Sequence, residues 1–204
     1  MTDHYYSHQP ESDHQERTIQ FSIQDQSLQF VTDRGVFSKD RVDYGSNVLL
    51  KAFLDHENTQ VGQSLLELGS GYGPILISLA KLAPQLHYVG VEVNQRSLDL
   101  AIRNQALNKV SNIDWHLADA TQIDLNQFFD YAITNPPIRA GKKTIQAFVN
   151  QAYRHIKVGG RLFVVIQKKQ GAESMKKYMD QVFGQAERIS LDKGYWVLMS
   201  QKED

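Results

Sequence analysis

The chain contains no cysteine, which excludes disulfides and thiolate metal sites. It has five prolines and no proline- or glycine-rich stretch that reads as a linker. No apolar run approaches the length that crosses a membrane, and Leu162–Ile166 is typical of those present. Residues 1–30 are polar and hold nothing suited to a signal peptide, so a cytoplasmic location is the default expectation. Net charge is nearly absent as well, at −1. That value alone argues against a nucleic-acid partner, but its distribution does not. Residues 1–134 carry 9 Lys/Arg against 17 Asp/Glu, and residues 135–204 carry 13 against 6. Halves of −8 and +7 allow a basic face on a nearly neutral protein, although solvated surface lysines would give the same count.

What is present suits one α/β domain: 204 residues, of which 41% are hydrophobic. Residues 1–16 read as a tail. Thr18–Ile23 and Ser27–Thr32 alternate around Asp25-Gln26, which predicts a β-hairpin. Asp43–His56 carries Val48, Leu49, Ala52 and Phe53 at helical spacing. From Ser64 the pattern becomes strand, turn, helix, repeated. Strands are expected at Ser64–Leu68, His87–Val93, Ile113–Leu117, Tyr131–Thr134 and Arg161–Ile166. Helices are expected at Pro74–Leu82, Ser97–Leu107, Thr144–Ile156 and Glu173–Phe183. Two last strands, Glu187–Leu191 and Tyr195–Ser200, are joined by Asp192-Lys193-Gly194 and must run antiparallel to each other. The expected architecture is a mostly parallel seven-stranded sheet with one antiparallel strand, helices on both faces and a short hairpin-and-helix extension. Residues 1–60 form the extension, packed on a core domain of residues 61–204. Ligands of such sheets bind beyond the carboxyl ends of the strands.

After the first core strand comes Glu67-Leu68-Gly69-Ser70-Gly71-Tyr72-Gly73, followed by Pro74 at a helix start. Alternate glycines let the backbone turn sharply and approach a ligand. Position 74 would be glycine in a dinucleotide fingerprint; it is proline here. A pyrophosphate has no use for the carboxylate of Glu67, whereas an ammonium beside a sulfonium does. Electrostatics therefore favours S-adenosylmethionine over a dinucleotide, with a ligand-free tight turn as the competing reading. The second strand ends in Glu92-Val93, and Glu92 lies 19 residues after Gly73, where a carboxylate can hold ribose hydroxyls. After the third strand, Asp119 can accept from an adenine amino group while Ala118 and Ala120 leave room for the ring; an Asx turn would use the same residue.

The fourth strand ends in Asn135-Pro136-Pro137-Ile138. Two prolines stiffen the backbone and remove two N–H donors. What remains are acceptors, the Asn135 side-chain oxygen and the Pro136 carbonyl. A rigid pair of acceptors suits an –NH2 on an sp2 carbon. Two accepted hydrogen bonds orient that nitrogen and raise its electron density for in-line methyl transfer, with no nucleophilic side chain needed. Arg139, Lys142 and Lys143 follow this strand, and Lys168 and Lys169 follow the next. Both clusters fall at the ligand edge of the sheet, where cations would bind phosphate.

Glu67–Gly73, Glu92, Asp119 and Asn135–Ile138 resemble the successive motifs of class I S-adenosylmethionine-dependent methyltransferases that act on exocyclic or amide nitrogen. Gly35–Ser38, Val42–Ser46 and Asn135–Lys142 resemble the small-subunit ribosomal RNA guanine-N2 methyltransferases, in particular a short single-domain bacterial branch. Tyr5-Tyr6-Ser7 and Lys168–Gly171 are similar to that branch as well. The resemblance covers nearly the whole chain. It implies a Rossmann-like methyltransferase fold and catalysis at Asn135, Pro136, Pro137 and Ile138. It further implies cofactor contacts from Glu67, Gly69, Ser70, Gly71, Gly73, Glu92, Val93, Asp119, Ala120 and Asn135. Gly45 and Ser46 would approach the methionine part, and Phe37 would flank the target base; the competing reading makes Gly45-Ser46 a helix start and Phe37 a core residue. Ile138 stands where related amino-methyltransferases carry an aromatic. Longer members carry a duplicated N-terminal domain; without it, RNA contact is expected from the one domain or a homodimer. The activity first expected is methylation of guanine N2 in small-subunit rRNA, as free RNA or assembled subunit. A glutamine or adenine-N6 methyltransferase and a non-catalytic cofactor- or RNA-binding module remain alternatives. His4, His8 and His14 suggest no metal site, and neither a metal nor a membrane partner is expected.

Overall fold

The structure is a computed structural model and describes residues 15–204. Most of the expected tail, with Tyr5-Tyr6-Ser7 and the histidines at 4, 8 and 14, lies outside the described residues. Strands β1 (Arg17–Ile23) and β2 (Gln26–Thr32) form the antiparallel hairpin, and α1 (Tyr44–His56) follows. Then come β3 (Ser64–Leu68), α2 (Pro74–Leu82), β4 (His87–Glu92), α3 (Gln95–Leu107), β5 (Ile113–Leu117) and β6 (Phe129–Thr134). The chain ends with α4 (Lys142–His155), β7 (Ile156–Gln167), α5 (Ala172–Phe183), β8 (Glu187–Asp192) and β9 (Tyr195–Gln201).

The main sheet has seven strands in the order β5-β4-β3-β6-β7-β9-β8. Only β9 runs against its neighbours, pairing antiparallel with both β7 and β8. The order reverses between β3 and β6, which pair in parallel, and their carboxyl ends open a crevice at that switch point.

Side-chain alternation builds a core on each face. Leu65, Tyr88, Ile133, Phe163 and Val197 enter one core, shared with α1, α2 and the hairpin residues Leu28 and Phe30. Leu66, Leu68, Val89, Val91, Leu162, Val164 and Leu198 enter the other, under α4 and α5. Every residue of β3 is buried, as the continuous apolar run of a central parallel strand requires. Truncating Leu66 or Leu68 to Ala there would cost about 2–5 kcal/mol.

Boundaries differ from the sequence expectation in two instructive places. Strand β7 begins at Ile156, not Arg161, because Phe129 pairs with Ile156 before a register shift and Gly159 and Gly160 bond to Lys202 across the edge. Helix α3 begins two residues early because Asn94 caps it, accepting from the Ser97 N–H.

The hairpin is tied to the core by side-chain amides. Asn104 Oδ1 accepts from the Val31 N–H at 2.7 Å, and its Nδ2 donates to the Val31 carbonyl at 3.0 Å. Asn108 does the same with Gln29, at 3.1 and 2.7 Å. The Asn104 Nδ2 also donates to the Tyr72 carbonyl, so one buried residue joins hairpin and glycine loop.

Candidate active site

A cavity of about 1050 Å³ opens at the switch point. The glycine loop after β3 forms its floor. Gly69, Gly71 and Gly73 all sit at positive φ (77°, 57° and 87°), which only glycine adopts readily. The Gly69 and Ser70 N–H groups both donate to the Val91 carbonyl of β4, so the loop is fixed before any ligand arrives.

Two carboxylates stand behind the loop. Glu92 is 6% exposed, and its two oxygens accept from the Gly71 and Asn94 N–H groups, each at 2.8 Å. Burial raises its pKa, and those N–H bonds pull it back in part. Glu67 is 1% exposed, and its Oε2 has no hydrogen-bond partner among the described residues. Burial, and then the neighbouring Glu92 charge, hold its pKa well above the ordinary carboxyl value. A buried acceptor without a donor is costly, and a cationic N–H ligand would supply what it lacks. Asp119 lines the cavity too, with its oxygens already accepting from the Thr121 N–H, the Thr121 hydroxyl and Gln122. The Asx turn is therefore present; it leaves carboxylate lone pairs for a ligand.

On the opposite wall, Asn135 emerges from β6. Its Nδ2 donates to Asp43 Oδ2 at 2.9 Å and to Ser46 Oγ at 3.0 Å. The amide oxygen has no donor among the described residues. Pro136, Pro137 and Ile138 continue the wall, and a single 3-10 turn over Ile138–Ala140 follows. Arg139 lines the cavity at its outer end.

The structure thus gathers Phe37, Ser46, Glu67, Gly69, Ser70, Gly71, Glu92, Val93, Asp119, Ala120, Asn135, Pro136, Pro137, Ile138 and Arg139 around one space. Six expected residues do not line it. Gly73 sits behind it as the N-cap of α2, and Gly45 packs under Tyr195. Lys142, Lys143, Lys168 and Lys169 are exposed just outside, beside the lining residues Ala140, Thr144, Gln167 and Gln170. The cavity is therefore acidic within and basic at its rim.

Segment 35–40, which includes the expected Phe37, lines the cavity, held by Thr32 Oγ1 donating to the Lys39 carbonyl at 2.6 Å and the Tyr72 hydroxyl donating to the Ser38 carbonyl at 3.4 Å. Other lining residues escaped the sequence reading. Phe148 of α4 lies against Gly69. Tyr195 of β9 lines the cavity and packs on Tyr44, with ring centroids 5.5 Å apart. It adds an aromatic ring to the lining of a cavity in which position 138 is Ile, and no local motif marks it. Among the described residues, no helix is long and apolar enough to cross a membrane.

The chain matches a family model described as a methyltransferase small domain over residues 27–199. YbxB of Bacillus subtilis, an uncharacterized protein, is 36% identical over 203 residues, covering 99% of this chain and 100% of that one. Ribosomal RNA small subunit methyltransferase C of Serratia proteamaculans is 30% identical over 148 residues, covering 71% of this chain and 41% of that enzyme. The solved T. thermophilus 16S rRNA N2 methyltransferase RsmC, in complex with AdoMet and guanosine, is 27% identical with a TM-score of 0.83. That match covers 92% of this chain and 51% of the RsmC chain. The chain spans the whole of the Bacillus relative and about half or less of the rRNA enzymes.

Proposed function

This chain belongs to the methyltransferase small-domain family, and from that membership we propose that it transfers a methyl group from S-adenosylmethionine to guanine N2 of small-subunit ribosomal RNA in the cytoplasm. The residues fit the cofactor. Glu67 offers an unpartnered buried oxygen for the ammonium, Glu92 retains acceptor capacity for ribose hydroxyls, and Asp119 beside Ala120 suits an adenine amino edge. When bound, the cofactor supplies a methyl group on a sulfonium centre. Five carboxylates line the cavity, Asp40, Asp43, Glu67, Glu92 and Asp119, and favour such a cation.

One observation carries the reading. Asn135 is held by its amide nitrogen, so its oxygen is left for the cavity. That oxygen and the Pro136 carbonyl can accept both hydrogens of an aromatic NH2. The target nitrogen is then oriented, and its lone pair is drawn less into the ring. Phe37 and Tyr195 offer flat apolar faces to a base, and the rim of Arg139, Lys142, Lys143, Lys168 and Lys169 suits the flanking phosphates. The likeness to RsmC, solved with AdoMet and guanosine, supports guanine among the amines that the same wall would accept.

The test is methyl transfer from labelled cofactor to small-subunit RNA, free and assembled, with nucleoside digestion and mass analysis. Label in N2-methylguanosine is expected. Label in N6-methyladenosine or protein glutamine, or no transfer to any of them, would overturn the substrate assignment.

A further inference from the structure

Asp43 stands just before α1, 92 positions from Asn135 in sequence. Its Oδ2 accepts from the Ser46 N–H at 3.2 Å, capping the helix, and from Asn135 Nδ2 at 2.9 Å. Ser46, 4% exposed, accepts the second hydrogen of that NH2 at 3.0 Å. An ionised carboxylate can only accept, whereas an amide offers donors on one side and an acceptor on the other. Asn135 must therefore turn its NH2 toward Asp43 and its oxygen away. The flipped amide would set oxygen against carboxylate and present donors to an incoming amine, which is itself a donor. Both consequences oppose the reaction. Donation to a charged acceptor also polarises the amide and strengthens its oxygen as an acceptor.

We propose that Asp43, helped by Ser46, is a positioning residue that selects the reactive orientation of the Asn135 amide. The proposal rests on Asn135 being the acceptor of the target amine. It gives the segment before the core a part in the chemistry: α1 carries the clamp, and β6 carries the group that is clamped.

A charge-swapped pair tests this. In Asp43→Asn, the new amide still caps α1, since Asn caps as well as Asp, but it no longer dictates which face Asn135 shows. In Asn135→Asp, two carboxylates oppose each other. In the double variant, the amide introduced at position 43 donates to the carboxylate introduced at position 135. An acceptor then again faces the cavity, and the net charge beside the sulfonium is that of the wild type. Single-turnover rates at saturating cofactor are expected to fall ~10-fold and ~100-fold in the single variants. The double variant should return to within ~10-fold of wild type, where independent effects would multiply to ~1000-fold. Melting temperatures verify that each variant is folded. A double variant as slow as the product of the singles, or an unimpaired Asp43→Asn, would overturn the positioning role. Asn135→Ala separates the two ideas: a near-wild-type rate there would instead sink the acceptor role of Asn135.

Discussion

Gly45 turns its bare Cα to the ring of Tyr195: a Cβ at residue 45 would lie 2.9 Å from Tyr195 Cε1 and 2.8 Å from Asp43 Oδ2. Neither neighbour can yield easily. Tyr195 is braced by Tyr44, whose hydroxyl donates to Asp192 Oδ2 at 2.7 Å, and Asp43 is engaged with Asn135. Gly45→Ala should therefore destabilise the protein by about 1–3 kcal/mol, the usual cost of overpacking, and slow methyl transfer by displacing Asp43. Urea unfolding and single-turnover rates measure both. Unchanged values would mean that the ring moves aside freely.

Glu67 makes stability depend on pH. Its folded pKa is raised by burial, so the folded state holds a proton that the unfolded state has released above its ordinary value of 4.5. Folded-state stability without ligand should therefore fall as pH rises from that value toward the raised one. A cationic ligand reverses the preference, so cofactor binding should release a proton and tighten with rising pH. Melting curves between about pH 5 and pH 8 should show a shallower slope for Glu67→Gln than for wild type. Equal slopes would mean that Glu67 is already ionised in the free protein.

Glu92→Ala should weaken S-adenosylmethionine binding by about 1.5–3 kcal/mol, the scale of a hydrogen bond to a charged group. The loss would have two sources, the proposed ribose acceptor and the anchor of the Gly71 N–H. Titration calorimetry reads the sum; full affinity in the variant would remove Glu92 from the cofactor site.

The rim lysines should act on RNA alone. Replacing Lys142, Lys143, Lys168 and Lys169 with Ala should lower RNA affinity and reduce the slope of log affinity against log salt by roughly 3, if all four touch phosphate of a single strand. Cofactor affinity should barely move, because none of the four lines the cavity. An unaltered slope would reduce the rim to solvated surface.

The alternation of strand and helix, the glycine loop, the carboxylate 19 residues beyond it and Asn135-Pro136-Pro137 were legible in the sequence because each is local. Each sits at the end of its own strand, and parallel order alone brings those ends together. Tyr195 was not legible. It reaches the cavity because β9 inserts between β7 and β8, and side-chain periodicity carries no information on strand order. The Asp43–Asn135 bond was hidden for a related reason. From the sequence Asp43 only opens the expected helix; the structure makes it the N-cap of α1, and its second partner depends on where α1 packs. Gly45 reads as a residue near a ligand, yet its missing Cβ makes room for an aromatic ring.

The two asparagines that grip the hairpin show how a helix can counterfeit the edge of a sheet. Residues four apart on a helix are separated by about 6 Å along its axis. Alternate residues of an antiparallel strand repeat every ~6.8 Å. The two rulers nearly agree, so Asn104 and Asn108 each meet both backbone groups of one strand residue, Val31 and Gln29. The mismatch of ~0.8 Å accumulates with each added rung, so a third amide would already strain and a fourth would miss. Such a seam must stay short. Here it fills one side of a two-stranded sheet that would otherwise offer backbone groups to any passing strand.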